Sequence, residues 1–266
     1  MARGSDSTRR VMGAACLVLT VAGWGWLPAA AAAGEAHWGY NCAEGPPFLW
    51  GQLVPACDGR EQSPIDVSTT GAVRRPLPPP EPTYGTTGLE VVNDGHTVEA
   101  MVPAGAAELQ LGDRTLRLVR FHWHTPSEHW LDGERFPMEL HMVHADGEGS
   151  LVLGALVAEG RANAELDKIW SVLPREPRQR VEVESFALSR LLPASLRTYR
   201  YPGSLTTPDC DQGIEWLLLA EPVEMSQAQI ADFQGIFLGT DRFPVGNARP
   251  IQPLNDREVV TDASGE

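Results

Sequence analysis

The chain of 266 residues is acidic, with a formal net charge of −14, and 42% of its residues are hydrophobic. This size and composition suit one large globular domain or two small ones. The acidity argues against nucleic acid as a partner, because nucleic acid favours a basic surface.

Residues 1–33 have the pattern of an export signal. A basic start is followed by a largely apolar stretch, and residues 29–33 offer small-residue cleavage sites. An arginine pair in the basic start leaves a twin-arginine signal as an alternative to ordinary secretion. Either signal predicts a periplasmic or secreted protein. Removing the segment takes away three arginines and one aspartate, which changes the net charge to −16 and leaves no apolar run long enough for membrane insertion.

We expect residues 34–266 to form a single domain, with its core at residues 37–254 and an acidic tail at residues 255–266. Export favours disulfide formation in this domain, which contains Cys42, Cys57 and Cys210. Because three is an odd number, one thiol is expected to stay free or to pair between chains, unless no bridge forms at all.

Strand patterns dominate the domain. An irregular, aromatic-rich start and a proline-rich extended loop at residues 74–82 precede alternating apolar segments separated by turn residues. These segments predict strands at residues 89–92, 97–102, 109–111, 115–124, 137–144, 151–157 and 214–219. Apolar residues at helical spacing predict one helix over residues 162–173, and Ser226 is the expected cap of a second helix that ends at Phe237.

Three histidines on two of these strands form a candidate metal site. Side chains alternate faces along a strand, so His122 and His124 lie on the same face. His141 follows far enough along the chain for an antiparallel return strand to bring it beside them. Three histidines without a fourth protein ligand are typical of catalytic zinc, with one position open for water. A His-x-His pair alone is a weak signal, but Glu139 shares the face of His141 and can accept its ring N–H, and Val143 would add an apolar wall.

Longer motifs extend this pattern in a fixed order over about residues 37–254. They are His37-Trp38-Gly39-Tyr40, Gln62-Ser63-Pro64-Ile65, Asn93-Asp94-Gly95-His96, Phe121-His122-Trp123-His124, Ser127-Glu128-His129, Glu139-Leu140-His141-Met142-Val143-His144, Tyr201-Pro202-Gly203-Ser204-Leu205-Thr206-Thr207-Pro208, Trp216, and Asn247-Ala248-Arg249-Pro250. In these motifs the chain resembles the α-class carbonic anhydrases of the exported bacterial type.

The resemblance implies a mainly β (α+β) fold, in which a large twisted, mostly antiparallel central sheet carries a few short peripheral helices and zinc lies at the base of a conical cleft. It implies one Zn²⁺ per chain and the reversible hydration of carbon dioxide to bicarbonate and a proton, by attack of zinc-bound hydroxide. The expected partner is the small-molecule substrate alone, and the expected assembly is a monomer or a homodimer.

The resemblance also implies a role for each site residue. Zinc would be bound by His122, His124 and His141. Thr206 would accept a hydrogen bond from the hydroxide and pass its own proton toward Glu128, while His96 would shuttle protons; from the residues alone, His96 is interpreted as a solvated loop residue. The carbon dioxide pocket and its polar side would contain Val143, Val152, Leu205, Trp216 and Thr207. Asn247 would lie behind the ligands, and a Cys57–Cys210 bridge would leave Cys42 as the odd thiol.

One residue departs from the family pattern. Where the family usually has a glutamine that accepts the ring N–H of the first zinc histidine, this chain has Arg120, which has donors and no acceptor. His122 must therefore use a backbone carbonyl, a water or another side chain. Loss of such a partner costs roughly 10- to 100-fold in metal affinity or activity, so Arg120 predicts weaker zinc retention or slower turnover.

Two other functions fit less well. A non-catalytic relative would keep the fold as a binding module, but such relatives generally lose a zinc histidine, and here all three are present with Thr206 and Glu128. A different zinc hydrolase, such as a peptidase, would need another ligand set, and the sequence has no His-Glu-x-x-His motif.

Overall fold

The computed structural model describes residues 37–262, so the predicted signal peptide at residues 1–33 lies outside the described residues. The chain between these limits forms sixteen strands: β1 Asp66–Val67, β2 Val73–Arg74, β3 Pro80–Tyr84, β4 Thr86–Asn93, β5 Val98–Met101, β6 Ala107–Leu111, β7 Arg114–His124, β8 Trp130–Leu131, β9 Glu134–Arg135, β10 Met138–Ala145, β11 Ser150–Glu159, β12 Arg180–Ala187, β13 Thr198–Ser204, β14 Gln212–Leu219, β15 Val223–Met225 and β16 Val260–Thr261. All seven predicted strands lie within or overlap these elements.

The helices are few and short. They are α1 Trp50–Leu53, α2 Asp167–Trp170 and α3 Gln227–Phe237, with 3₁₀ turns at Pro47–Leu49, Pro55–Asp58 and Leu188–Leu191. Ser226 caps α3 as predicted, since its hydroxyl accepts from the backbone N–H of Gln229 in a capping box. No helix within residues 37–262 has the length and apolar character needed to cross a membrane.

Thirteen strands form one large sheet, in which the central order is β12-β4-β5-β7-β10-β11-β14-β13-β16-β2. The strands β3, β6 and β15 attach to this order, and β1, β8 and β9 form a separate small sheet. Most neighbouring strands run antiparallel, as in the β7–β10–β11 group, whereas β11 pairs parallel with both β14 and β15. The expected mainly β fold with a mostly antiparallel sheet and few helices is confirmed.

Two predictions of local structure were wrong. The helix expected over residues 162–173 is reduced to α2, because the Asn163 side chain accepts from the backbone of Glu165 and Leu166 and forms a turn there instead. The proline-rich loop expected at residues 74–82 ends in strand β3, which pairs with β6 and with no other described strand. Proline lacks a backbone donor and is tolerated at such an edge position.

The sheet is buried on both faces at its centre. In β10, Met138, Leu140 and Met142 belong to one apolar cluster that also contains aromatic residues of β7, α2 and α3. The alternate residues of β10 point to the other face, where Val143 belongs to a second apolar cluster with residues of β11, β13 and β14. Alternation along one buried strand therefore places Glu139 and His141 in the interior, on the face opposite the larger cluster.

A disulfide joins Cys57, in the N-terminal segment, to Cys210, 153 residues later. This is the pair that the family resemblance implies. In this structure of the full chain Cys42 is disulfide-bonded as well, and no described cysteine is free. The expectation of an odd thiol concerns the chain without residues 1–33, which contain Cys16, and it stays a prediction.

Candidate metal centre

The strand register brings the three predicted histidines together. His122 of β7 lies directly opposite His141 of β10, and His124 lies opposite Glu139 in the same antiparallel pair. The candidate ligand atoms of the three histidines lie within 4.8 Å of one another. His124 and His141 are buried and His122 is half-buried, so the cluster is partly exposed to solvent at His122.

Hydrogen bonds determine which ring nitrogens remain available in two of the three histidines. His124 Nδ1 donates to the backbone carbonyl of Asn247 at 2.7 Å, and His141 Nε2 donates to Glu139 Oε1 at 2.9 Å. A neutral imidazole has one donor and one acceptor nitrogen, so His124 Nε2 and His141 Nδ1 carry lone pairs. Burial is the largest influence on all three histidines and lowers their pKa, which keeps the rings in the neutral form that binds metal.

Glu139 holds the neighbouring groups in place. Its Oε1 lies 2.7 Å from His129 Nδ1 in addition to its bond from His141, and its Oε2 accepts the backbone N–H groups of Glu128 and His129. Burial alone would raise the pKa of Glu139, but the electrostatic influence of His129 and His141 and the hydrogen bonds from their rings outweigh burial and hold the pKa well below its usual value. Both oxygens of the buried Glu139 carboxylate therefore accept hydrogen bonds.

A second set of close ligand atoms consists of His129, Glu139 and His141. Its atoms already bond to one another, and His129 Nε2 contacts the Tyr201 hydroxyl at 2.5 Å. Because these ring nitrogens and carboxylate oxygens already form hydrogen bonds within the protein, the set is poorly suited to bind a metal. Its role is to hold His141 of the first cluster in place.

Glu128 lies close to the two histidine nitrogens that carry lone pairs. Its Oε2 is 3.5 Å from His124 Nε2 and 3.9 Å from His141 Nδ1, and this oxygen has no hydrogen-bond partner among the described residues. The other oxygen, Oε1, accepts the backbone N–H of Arg249 at 2.7 Å. Burial raises the pKa of Glu128 to about 7, against the lowering effects of His141, of the Thr206 hydroxyl and of the Arg249 backbone. The Thr206 hydroxyl thus acts on the same carboxyl group as the Arg249 backbone.

An apolar row adjoins the histidines. Val143, Val152 and Trp216 lie opposite one another across β10, β11 and β14, and Leu205 packs against the same cluster. The ring of Trp216 is centred 4.9 Å from that of His141, and its Nε1 donates to the carbonyl of Ser204 at 2.9 Å. The structure thus groups four of the predicted pocket residues beside the metal cluster, and Thr207 follows in the loop after β13.

Comparisons with known proteins agree with this geometry. Residues 44–263 match the family model described as eukaryotic-type carbonic anhydrase. A carbonic anhydrase of Pectobacterium atrosepticum is 38% identical over 237 residues, which cover 87% of this chain and 93% of that protein. The α-carbonic anhydrase of Thermovibrio ammonificans, solved with the inhibitor sulfanilamide, is 39% identical with a TM-score of 0.78, over 85% of this chain and 100% of that one. The chain belongs to the α-carbonic anhydrase family.

Membership of the carbonic anhydrase family makes the chain an enzyme of that class. The α-carbonic anhydrase of Photobacterium profundum has the same architecture, with 36% identity and a TM-score of 0.76 over 84% of this chain and 100% of that one. The relatives are thus matched over nearly their full length.

His96, the predicted shuttle of the family, lies at the end of the loop before β5. Its ring stacks on Trp38 with centroids 3.9 Å apart, and its Nε2 is 3.4 Å from the Trp38 carbonyl. The side-chain amide of Asn247 donates to the His96 carbonyl at 3.0 Å, while the Asn247 carbonyl accepts from His124. Asn247 therefore connects the His96 loop to a metal-cluster histidine. Burial lowers the pKa of His96, partly offset by Asp94.

A glycine makes this Asn247 contact possible. Gly246 has a φ of +104°, and a Cβ there would meet the Thr125 carbonyl at 2.0 Å. The close approach lets the Asn247 side-chain oxygen accept from Thr125, directly after His124, at 2.7 Å. Any side chain at position 246 would push this loop away from the end of β7.

The departure from the family at position 120 has a structural consequence. His122 Nδ1 is buried and has no hydrogen-bond partner among residues 37–262, whereas His124 and His141 each have one. Arg120 turns instead toward Glu99, with Arg120 Nε 2.8 Å from Glu99 Oε2. The sequence motifs gave no sign of Glu99, which becomes visible only once β5 is paired with β7.

Other supporting residues were also missed. Tyr201, Arg249 and Ser63 were quoted only as parts of motifs, yet Tyr201 bonds His129 and Ser63, and the Arg249 backbone bonds Glu128. The Arg249 guanidinium donates to carbonyls of Ser63 and Cys57. Their partners lie far away along the chain, so no local pattern could have assigned them.

A cavity of about 1170 Å³ elsewhere on the sheet is lined by residues of β13, β14 and the C-terminal segment, and none of the three metal-cluster histidines is among them. Its charged side chains are largely paired, for example Arg114 with Asp146 and Glu215. This cavity therefore lies apart from the histidine cluster.

Proposed function

We propose that this chain catalyses the reversible hydration of carbon dioxide to bicarbonate and a proton, with one Zn²⁺ per chain held by His122, His124 and His141. The observation that carries this proposal is the pair of neutral, buried imidazoles whose unbonded nitrogens face a common space beside His122, in a chain of this family. Neutral imidazole suits zinc well. Bound zinc would lower the pKa of a coordinated water to about 7, a value known for carbonic anhydrases.

Thr206 and Glu128 would orient the nucleophilic water. A hydroxyl that donates to a carboxylate has only its lone pairs left for other partners, so Thr206 would accept from the water and aim it at the substrate. The Arg249 backbone N–H and the Thr206 hydroxyl favour the ionised form of Glu128. A cation held by the neighbouring histidines would favour that form further.

The apolar row would hold carbon dioxide. The substrate has no net charge, so contacts with Val143, Val152 and Trp216 suit it better than bonds to polar groups. Leu205 and Thr207, which flank Thr206 in the chain, would complete the pocket and its polar side. Bicarbonate is charged and would leave this apolar surface readily, which suits a reversible reaction.

His96 would carry the proton from the site to buffer. Replacing His96 by alanine should lower kcat about 10²-fold in dilute buffer, the low end of what a positioned proton-transfer group contributes, and should leave kcat/KM nearly unchanged. Stopped-flow hydration over a range of buffer concentrations measures this. Added imidazole should restore kcat, because it supplies the missing proton carrier. A loss that imidazole does not restore would assign His96 a structural role against Trp38.

The proposed function is tested by adding zinc to metal-free mature protein while carbon dioxide hydration is followed with a pH indicator. The rate should rise in proportion to bound zinc and level off at one zinc per chain. Binding of one zinc without hydration would refute catalysis, and failure to bind zinc would refute the metal centre.

We also infer that residues 1–33 direct export and that the mature chain, residues 34–266, acts as a single domain in the periplasm or outside the cell. The Cys57–Cys210 disulfide supports this location, since such bonds persist in oxidising compartments. Detection of active protein in the periplasmic or culture fraction, with its new N-terminus read by mass spectrometry, tests both inferences.

A further inference from the structure

The three histidines of the metal cluster are not equally supported. His124 donates to the Asn247 carbonyl and His141 donates to Glu139, whereas His122 Nδ1 is buried and has no partner in the part of the chain that the structure describes. A ring nitrogen in that position normally donates to an acceptor, which fixes the ring and makes the ligand more basic. His122 therefore needs an acceptor from elsewhere in the chain.

Strand pairing leaves one good acceptor beside His122. On the β10 side, the residue opposite is His141, which is already bonded to Glu139. Arg120 shares the face of His122 but has only donors. On the β5 side, the residue opposite His122 is Glu99. Residues directly opposite in an antiparallel pair have Cβ atoms about 4.5–5.5 Å apart on the same face, which is within reach of a glutamate side chain.

Arg120 restrains the Glu99 carboxylate. The two residues are diagonal neighbours across β5 and β7, and Arg120 Nε lies 2.8 Å from Glu99 Oε2. The side chain of Arg120 is 36% exposed and that of Glu99 is 24% exposed, so the pair is less screened by water than a surface ion pair. A carboxylate has two oxygens with about four lone pairs. One oxygen can therefore stay with Arg120 while the other faces His122.

We propose that Glu99 is the positioning residue for His122, and that its carboxylate, restrained by Arg120, accepts the Nδ1–H of His122 when the three histidines hold the metal. The inference rests on the proposed function, since it concerns the same metal. It revises the expectation from Arg120 alone, because the acceptor that position 120 lacks is supplied by the neighbouring strand. Zinc retention then depends on the residue at position 99.

The test measures the rate at which zinc-loaded protein loses zinc to excess chelator, a readout independent of hydration. Glu99→Met and Glu99→Gln both remove the negative charge beside Arg120, but only glutamine keeps an acceptor. Glu99→Met should release zinc about 10- to 100-fold faster than the wild type, the usual cost of losing such a partner. Glu99→Gln should stay within a few-fold of the wild type.

Two double variants separate hydrogen bonding from charge. Glu99→Met combined with Arg120→Gln should recover slow zinc release, because glutamine at position 120 offers an acceptor on the same face. Glu99→Met combined with Arg120→Met should not recover it, although it removes the same positive charge. Thermal unfolding of each metal-free variant verifies that the fold is retained.

Three outcomes would overturn the proposal. Equal zinc loss from Glu99→Gln and Glu99→Met, or equal recovery by both double variants, would show that Glu99 acts only by neutralising Arg120. Unchanged zinc release in Glu99→Met would show that it does not support His122. If the wild type binds zinc and hydrates carbon dioxide, the proposed function stands whichever of these outcomes is found. If the wild type binds no zinc, both proposals fail.

Discussion

Replacing His141 by alanine should abolish zinc binding and carbon dioxide hydration together. The remaining His122 and His124 come from a single strand and supply two ligands, one fewer than a catalytic zinc site requires. The variant also removes the donor His141 Nε2, which lies 2.9 Å from Glu139 Oε1. The buried carboxylate then loses one of the hydrogen bonds that offset the cost of its burial. Zinc content after dialysis and stopped-flow hydration on the same preparation measure both effects.

A matched pair of variants determines which histidine cluster binds the metal. His141 belongs to both close sets of ligand atoms, but His122 belongs only to the proposed set and His129 only to the alternative. His122→Ala should therefore lose zinc almost as completely as His141→Ala. His129→Ala should keep zinc with affinity reduced by roughly 10- to 100-fold, because His129 acts through Glu139. If His129→Ala lost zinc while His122→Ala kept it, the metal would instead be bound by the set of His129, Glu139 and His141.

The histidine cluster was predictable because it depends on strand parity. His122, His124, Glu139, His141 and Val143 lie on two neighbouring strands, and alternation alone assigns their face. The antiparallel pairing of β10 with β7 then places His141 opposite His122. The unpartnered Nδ1 of His122 was also anticipated in part, since Arg120 has no acceptor, although the sequence could not say what takes its place.

What the sequence missed has two physical causes. Strand β13 contains Pro202 and Gly203, which weaken any local strand signal, and it exists because β14 pairs along its length. In β12 only two residues are buried and most others are exposed, so its apolar alternation is faint. The other cause is distance along the chain: the bonds of Asn247 to His124 and of Arg249 to Glu128 each join residues more than a hundred positions apart. Such partners are determined by the completed sheet, which no local pattern encodes.

Removal of the Cys57–Cys210 disulfide should lower the free energy of unfolding by about 5 kcal/mol at 25 °C. The bond closes a loop of 153 residues, and loops of that length restrict the unfolded chain strongly, which is the basis of this estimate. A variant with both cysteines replaced by serine should therefore unfold at a much lower urea concentration. Urea unfolding of zinc-free protein measures the change without a contribution from metal binding.

The same variant should retain part of its activity. The Gln62 side chain donates to the Cys210 carbonyl, and the Arg249 guanidinium donates to the Cys57 carbonyl, so both backbone segments keep contacts that do not require the bridge. The Thr206 loop is also closed by its own bonds, from Leu205 to Asp211 and from Cys210 to Thr207. We therefore expect a large loss of stability with a smaller loss of hydration below the unfolding transition.

Reductant provides the control for this prediction. Wild-type mature protein, residues 34–266, unfolded in urea with reductant should approach the stability of the double-serine variant of the same length. That variant contains Cys42 as its one remaining cysteine and should not respond to reductant. If the variant instead kept wild-type stability, the restriction of the unfolded chain would be offset by strain in the folded state. If it lost hydration completely while still folded, the bridge would be needed to hold Thr206 at Glu128, and the contacts of Gln62 and Arg249 would be insufficient on their own.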